Sequence, residues 1–197
     1  MRFSYHTEQW LPYPVEQVFD FFANPDNLHL LMPPWQQARI DTSSLVIPPR
    51  PARPRFSARF GSTSTAAGIG SRLTLSFVPI PYAPFRLRWE AEISEFVWDE
   101  HFCDRQVRGP FSFWNHCHYV RGANQLGIDT TFIADDLEYE VPFGIAGQLA
   151  HRLFLRRQIE RTFAYRQRQL ARIFGDISSE SQPQPGPQAN PGAPKPR

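Results

Sequence analysis

The fold is decided by residues 89 to 96, WEAEISEF, and residues 101 to 118, HFCDRQVRGPFSFWNHCH. Apolar and polar side chains alternate along both segments, and successive residues of a β-strand point to opposite faces of a sheet. Gly109 and Pro110 interrupt the second segment, where a tight connection between two strands suits both residues. The pattern therefore predicts a hairpin with a third strand beside it.

The register of this hairpin depends on its centre, which we place at Pro110. Side chains that lie opposite each other then share one face of the sheet, and a shift of one residue would move the whole set to the other face. This centre creates a face of aromatic and ionisable side chains. The pairs across it are Asp104 with His116, Gln106 with Trp114, and Phe102 with His118.

The chain has 197 residues, of which 41% are hydrophobic and 17 are phenylalanines, so it can form one domain with a substantial core. A formal net charge of +2 gives no reason to expect a nucleic-acid partner. No apolar run approaches the roughly 20 residues that span a bilayer, and residues 1 to 10 lack the apolar core of a secretory signal. We therefore expect a cytoplasmic protein with no transmembrane segment.

The chain contains two cysteines, Cys103 and Cys117. The hairpin register sets them directly opposite each other, yet so few cysteines agree with a reducing compartment. We therefore expect free thiols.

The remaining sequence predicts helices and strands in a distinctive order. Pro14 can open a first helix, and Asn24 before Pro25 ends it, because the residue before a proline avoids the helical region. The predicted elements are a strand at 3 to 10, short helices at 14 to 24 and 26 to 32, strands near 37 to 42, from 72 onward and at 127 to 140, and one long amphipathic helix at 145 to 174.

Two segments break this order. Residues 43 to 70 contain IPPRPARPR and a run rich in Ser, Thr, Gly and Ala, which predict an exposed loop insertion within a domain of residues 1 to 174. Residues 175 to 197 are rich in Pro, Gln, Ser and Gly without periodicity, which predicts a disordered tail.

Short motifs accompany this order of elements. They combine aromatic, polar and turn-forming residues at fixed spacing along almost the whole predicted domain. The motifs are Pro14-Val15-Glu16-Gln17-Val18-Phe19 with Phe22, Pro33-Pro34-Trp35, Trp89-x-Ala91-x-Ile93, Phe102-x-Asp104-x-Gln106, Gly109-Pro110-Phe111, Trp114-x-His116-x-His118, Asp135-x-Leu137-x-Tyr139-x-x-Pro142 and Phe163-Ala164-Tyr165-Arg166.

On these motifs the chain resembles the SRPBCC superfamily, over about residues 3 to 174. The superfamily includes START lipid-transfer domains, the birch-pollen allergen family, polyketide cyclase-like proteins and coenzyme Q-binding proteins. The resemblance implies an α+β helix-grip (START-like) fold. In that fold a curved antiparallel sheet wraps around a long C-terminal helix, with two short helices after the first strand.

The resemblance further implies that the protein binds or carries a small hydrophobic or aromatic ligand, such as a lipid, quinone or polyketide, in an internal cavity. Apolar walls would supply burial and a few polar groups would set orientation. A hydrogen-bonded network that only stiffens the sheet is the structural alternative. No cofactor is expected. The candidate ligand-binding residues are Trp89, Asp104, Gln106, Trp114, His116, His118, Asp135 and Tyr139.

An enzyme is the alternative function, namely a cyclase or dehydratase acting on a polyketide-type substrate. His116 would be the general base, and Asp104 or Asp135 would orient its imidazole. Tyr139 would donate a hydrogen bond to a developing enolate or carbonyl oxygen. Fold analogy supplies most of this hypothesis, so we expect binding without chemistry.

A metal site depends on the same strand. His116 and His118 face the same way, as two chelating imidazoles would. Residues 119 to 126 contain no acidic ligand, so no metal is expected unless Asp104 completes the set from across the hairpin.

An interaction protein is the third functional class. The long helix carries many arginines against one acid, Glu160, which suits an anionic partner, although a solvated outer face is the expectation. The arginines are Arg152, Arg156, Arg157, Arg161, Arg166, Arg168 and Arg172.

The outer face of the sheet is the other candidate surface for a partner. An apolar face of this kind requires a cover, which we expect to be the 43 to 70 insertion or a second subunit in a homodimer through Phe113 and Tyr119. Its residues are Val107, Phe113, Cys117 and Tyr119.

Overall fold

The structure is a computed structural model that describes residues 1 to 51, 65 to 125 and 127 to 175. The centre of the predicted insertion and all of the predicted tail except Gly175 lie outside the described residues. The disordered tail and the domain boundary at residue 174 therefore stay predictions.

The described strands form one curved, seven-stranded antiparallel sheet, as predicted. Consecutive strands pair along most of the sheet, and the first strand closes the order beside the last. The strands are β1 (Arg2–Leu11), β2 (Arg39–Ser44), β3 (Arg72–Phe77), β4 (Leu87–Val97), β5 (His101–Arg108), β6 (Phe113–Gln125) and β7 (Ile128–Glu140), in the spatial order β1-β7-β6-β5-β4-β3-β2.

Two short helices follow the first strand, which confirms the predicted order. They are α1 (Val15–Ala23) and α2 (Leu28–Leu31). A 3₁₀ turn separates them, and the Asn24 side chain caps this turn by accepting a hydrogen bond from the Asp26 N–H at 3.0 Å.

The long C-terminal helix is continuous from residue 144 to 174 but contains one π-helical turn. It consists of α3 (Gly144–Ala150), the π turn (His151–Leu155) and α4 (Arg156–Phe174). Gly175 ends it with a φ of 92°, a conformation that glycine adopts without strain. A π turn inserts an extra residue into the helix and is frequent at functional sites.

The core lies on the concave side of the sheet. Leu137 and Tyr139 of β7 pack against Ile159 and Phe163 of α4, which holds the helix across the sheet. A second buried group joins α1 to the end of α4 through Phe21 and other side chains. The two groups hold the helix at a fixed place over the inner face, which positions the cavity described below.

The predicted hairpin register is confirmed over most of its length. Asp104 lies opposite His116 and Phe102 lies opposite His118. The predicted pairing of Gln106 with Trp114 is absent from the described ladder, which ends one residue earlier. Gln106 instead donates its amide N–H to the backbone carbonyl of Phe111 at 2.7 Å and ties the turn together.

The expectation of free thiols is wrong, because a disulfide joins Cys103 to Cys117. The two residues lie directly opposite each other, with their Cα atoms 4.1 Å apart, so the register brings the two sulfurs within bonding reach. The low cysteine count therefore gave a poorer prediction than the geometry did. Cytoplasmic location stays a prediction, without its support from reduced thiols.

The described part of the insertion is not an exposed loop throughout. Residues 43 and 44 belong to β2, and Ala66 and Ala67 are buried against α1. The Ala67 N–H donates to the carbonyl of Ala23 at 2.9 Å, and the Trp98 indole donates to the carbonyl of Pro49 at 2.8 Å. These contacts tie the described part to α1 and to the end of β4.

The outer face of the sheet is only partly covered among the described residues. Val107 and Tyr119 are 40% and 41% exposed. Phe113 is half-buried beneath the guanidinium of Arg2, whose carbon lies 4.0 Å from the ring centroid. Cover by residues 52 to 64 lies outside the described residues, and a homodimer through this face stays a prediction.

Among the described helices, none has both the length and the apolar character that crossing a membrane requires.

Candidate ligand-binding cavity

A cavity of about 470 Å³ lies on the inner face of the sheet, beneath α1, α2 and the C-terminal helix. This volume is within the range of small-molecule sites, roughly 300 to 1,000 Å³. Its wall is mostly apolar and aromatic, and it includes Phe143, which is 85% exposed. Representative apolar wall residues are Phe22, Leu31, Leu75, Trp89, Ile93 and Ile159.

One part of the wall is polar and comes from the predicted hairpin. Asp104, His116 and His118 all line the cavity, because strand alternation directs them to the inner face. Oδ2 of Asp104 lies 3.5 Å from Nδ1 of His116 and 3.9 Å from Nε2 of His118. The two imidazoles are therefore adjacent, with ring centroids 4.0 Å apart.

Asp135 lies behind these imidazoles and is not among the described lining residues. Its Oδ1 accepts a hydrogen bond from Nδ1 of His118 at 2.5 Å and lies 3.4 Å from Nε2 of His116. Arg166 of α4 approaches the same oxygen at 3.3 Å. We call Asp104, His116, His118, Asp135 and Arg166 the inner cluster.

The surroundings of each group in the inner cluster decide whether that group is charged. Burial raises the pKa of Asp135, but the Arg166 charge and the two imidazoles outweigh burial and hold this pKa well below its usual range. Burial and the positive charges of His116 and Arg166 lower the pKa of His118 to about 4. Near neutral pH, Asp135 is therefore a carboxylate and His118 is neutral.

The pKa of His116 shifts in the opposite direction from that of His118. Burial lowers its pKa, but the Asp104 and Asp135 carboxylates, which lie 3.5 and 3.4 Å from its ring nitrogens, outweigh burial and raise the pKa above its ordinary value. His116 is therefore the imidazole of the pair that accepts a proton first.

Arg166 lines the candidate site, and sequence reasoning missed it. The sequence-based expectation groups it with the arginines of a solvated outer helix face, yet its side chain is only 11% exposed and it lines the cavity. Its guanidinium carbon lies 4.9 Å from the ring centroid of Phe22. Position 166 follows buried Ile159 and Phe163 at helical spacing, and this spacing is the signal that could have found it. The other six arginines of the long helix are exposed.

The aromatic part of the wall adjoins the inner cluster. Trp114 packs edge-on against Trp89 with ring centroids 4.6 Å apart, and Phe111 lies 4.9 Å from Trp114. All three line the cavity. Gln106 does not belong to the described lining, because its amide is used in the turn.

A second polar point is His151, in the π turn, which sequence reasoning also missed. It lines the cavity, stacks on Phe3 at 3.6 Å between ring centroids, and accepts a hydrogen bond from the Tyr139 hydroxyl at 2.7 Å. Burial raises the pKa of Tyr139 to about 12, so its hydroxyl keeps its proton. Tyr139 is not among the described lining residues; its hydroxyl serves His151.

Buried polar atoms without a hydrogen-bond partner concentrate at this cavity. Of the seven such side-chain atoms among the described residues, all but Gln9 Oε1 belong to residues that line it. Buried polar groups almost always have partners, so these atoms mark places for a ligand or for water. The atoms are Gln36 Oε1, Trp114 Nε1, His116 Nε2, His151 Nδ1, Gln158 Nε2 and Arg166 Nε.

Fold and cavity together define a helix-grip protein with a cavity of small-molecule size on the inner face of its sheet. The family model described as "Polyketide cyclase / dehydrase and lipid transport" matches residues 11–168, so the chain belongs to this family, within the SRPBCC superfamily. A search of curated proteins finds no match. Family membership supports ligand binding or a cyclase-type function, without specifying a ligand or a reaction.

Solved structures of norcoclaurine synthase from Thalictrum flavum share the fold. One is 13% identical, has a TM-score of 0.55, and is matched over 88% of this chain and 86% of that chain. Another, in complex with dopamine and hydroxybenzaldehyde, is 12% identical, has a TM-score of 0.54, and is matched over 92% and 90%. At these identities the similarity concerns the fold alone.

Proposed function

We propose that the protein binds one small, largely apolar or aromatic molecule whose oxygen-bearing end lies against the inner cluster and Trp114. The observation that carries this proposal is the set of unpartnered polar atoms on the wall of an otherwise apolar cavity. Apolar walls supply the burial free energy, and the few polar groups set the orientation.

The unpartnered atoms favour a ligand that accepts hydrogen bonds. Trp114 Nε1, Gln158 Nε2 and Arg166 Nε can only donate, whereas Gln36 Oε1 can only accept. A buried donor left without an acceptor costs about 1 to 3 kcal/mol. Carbonyl, phenol or carboxylate oxygens on the ligand would recover this free energy.

The aromatic wall favours planar ligands. Trp89, Phe111 and Trp114 present ring faces and edges to the cavity beside the polar groups. Norcoclaurine synthase, which shares the fold, holds dopamine and hydroxybenzaldehyde in one of its structures. These are small aromatic molecules with oxygen substituents, the class that we propose for this chain.

Native mass spectrometry of the freshly purified full chain tests for a co-purifying molecule of this class.

Calorimetric titration with hydroxybenzaldehyde and with a 1,4-naphthoquinone tests the orientation. Trp114→Phe removes the indole N–H donor and leaves a smaller aromatic ring, so affinity should fall at least about tenfold, the equivalent of one hydrogen bond. Trp10→Phe is the matched control, because Trp10 lies on the outer face of β1 and is 39% exposed. Equal affinity of the two variants for both probes would contradict the proposal.

A cyclase or dehydratase is the second candidate function. The observation that favours it is the His116 imidazole, which faces the cavity and lies between the carboxylates of Asp104 and Asp135. These contacts suit a general base whose pKa is raised. Turnover of a linear β-keto thioester that His116→Gln abolishes would establish catalysis. Binding of the same compound without turnover would establish a carrier.

A further inference from the structure

We propose that Asp104, His116 and His118 bind a divalent transition-metal ion on the wall of the cavity. Sequence reasoning made such a site conditional on Asp104, and the hairpin register places Asp104 opposite His116. These residues are the three potential metal ligands that converge within the described part of the chain. The inference goes beyond ligand binding, because the ion would be held by the protein alone.

The spacing of the ligand atoms suits one ion. One atom from each residue lies within 4.8 Å of the other two, and Oδ2 of Asp104 lies 3.5 Å from Nδ1 of His116 and 3.9 Å from Nε2 of His118. Bonds of about 2.0 to 2.2 Å to nitrogen and oxygen place neighbouring ligand atoms roughly 3.0 to 3.5 Å apart. Small side-chain rotations therefore bring the three atoms onto one ion.

Asp135 lies behind both imidazoles and orients that of His118 for this role. It accepts from Nδ1 of His118 at 2.5 Å and lies 3.4 Å from Nε2 of His116. In both rings the nitrogen on the Asp135 side is the one that does not face Asp104. Metal-binding histidines almost always donate their second ring N–H to a carboxylate or carbonyl, which fixes the tautomer and the ring. Asp135 is therefore a positioning residue.

The charges of the inner cluster agree with a bound dication. Its two carboxylates and one guanidinium leave one net negative charge when both imidazoles are neutral. Arg166 lies 3.3 Å from the Asp135 carboxylate and so compensates that residue, whereas Asp104 has its carboxylate available on the cavity side. A dication converts the cluster to one net positive charge, which favours an anionic ligand oxygen.

Two imidazoles and one carboxylate leave coordination positions open. This donor set suits Fe²⁺, Co²⁺, Zn²⁺ or Mn²⁺ rather than Ca²⁺, which prefers oxygen ligands alone. All three residues line the cavity, so the open positions face the space where we place the oxygen-bearing end of the ligand. A metal there would polarise a carbonyl oxygen or bind an enolate oxygen.

The experiment is a calorimetric titration of the chelator-treated full chain with Zn²⁺ alone, repeated with Co²⁺ to follow its visible absorption. We expect one ion per chain and a Co²⁺ spectrum with nitrogen and oxygen ligands. Asp104→Asn and His118→Gln should each abolish stoichiometric binding. Asp135→Asn should weaken it about 10- to 100-fold while one ion still binds.

His6→Gln is the matched control, because His6 also contacts carboxylates but on the outer face of the sheet. It should leave the affinity unchanged. Circular dichroism checks that each variant is folded; the nearly isosteric Asp104→Asn decides the question if another variant does not fold. The proposal is overturned if the folded native chain does not bind the ion. It is also overturned if binding survives Asp104→Asn. Because no organic ligand is present, neither result affects the proposed ligand binding.

Discussion

Two neighbouring residues of β7, Asp135 and Asp136, bind a histidine from opposite faces of the same sheet. Asp135 accepts from Nδ1 of His118 at 2.5 Å inside the protein, and Asp136 contacts Nδ1 of His6 at the same distance outside it. The inner side chains are 10% and 7% exposed, whereas the outer ones are 51% and 52% exposed. The chemistry is the same and only the environment differs.

The two histidines respond to this difference in opposite directions. Burial and neighbouring positive charge lower the pKa of His118 to about 4. Hydrogen bonds to Asp136 and Glu8 raise the pKa of His6 above its ordinary value. An aspartate partner therefore does not set the charge of a histidine by itself. Desolvation and the remaining charges decide it.

The largest expected effect separates the two aspartates. Asp135→Asn leaves the Arg166 guanidinium buried without its anion, so the free energy of unfolding should fall by about 3 to 5 kcal/mol. Asp136→Asn changes an exposed pair and should alter it by less than about 0.5 kcal/mol. Chemical denaturation of both variants measures the difference. Equal losses would show that burial does not distinguish the two pairs.

The disulfide holds part of the inner cluster in place, because it joins β5 and β6, which carry Asp104 and His116. Its sequence separation of 14 residues predicts that the free energy of unfolding falls by about 3 kcal/mol in the double variant Cys103→Ser/Cys117→Ser. Thermal unfolding with and without reductant checks this. Reductant should destabilise the native chain and leave the double variant unchanged. A native chain that is insensitive to reductant would contradict the assignment.

The two histidines should titrate at different pH values. In chelator-treated protein, His118 should stay neutral down to a pH of about 4, whereas His6 should become protonated already above pH 6.5. Because unfolded His118 binds a proton that the folded form excludes, its contribution to stability rises as pH increases from about 4 to 6.5. Imidazole NMR shifts measure both pKa values. A His118 that titrates with His6 would refute the argument from burial.

The smallest expected effect belongs to the outer pair. The folded-state pKa of His6 is raised, so its stabilising contribution is fully present below the unfolded pKa and is lost as pH rises through the folded pKa. Exposure limits this contribution to less than about 1 kcal/mol. His6→Gln should therefore lower stability slightly in acid and not in base. Denaturation of the native chain and the variant at both pH values tests this, and a larger loss in base would contradict it.

Much of the candidate site was predictable because strand alternation is local. Once the turn at Pro110 was placed, the inward direction of Asp104 and His116 followed from a period of two residues. The same register places Cys103 opposite Cys117, as a disulfide requires, whereas the low cysteine count favours free thiols, a prediction that is wrong. Gln106 lay close enough to the turn for its amide to bond the Phe111 backbone instead.

The residues that sequence reasoning missed lie on the C-terminal helix. Arg166 and the exposed arginines are chemically alike, and only packing across the sheet gives Arg166 a buried carboxylate to contact. His151 lies in a π turn, where an added residue shifts the face that a regular helix would present. The periodicity of the sequence does not predict that turn.

The sequence alone determined the order of strands and helices, the faces of the hairpin strands and the superfamily, because these depend on local periods and short motifs. Only the tertiary structure decided which polar groups are buried together. His118 and Arg166 are 48 residues apart in the chain, yet their side chains lie 3.0 Å apart. Burial and charge at the inner cluster arise from packing between distant segments, and they give His118 and His6 opposite properties beside adjacent aspartates.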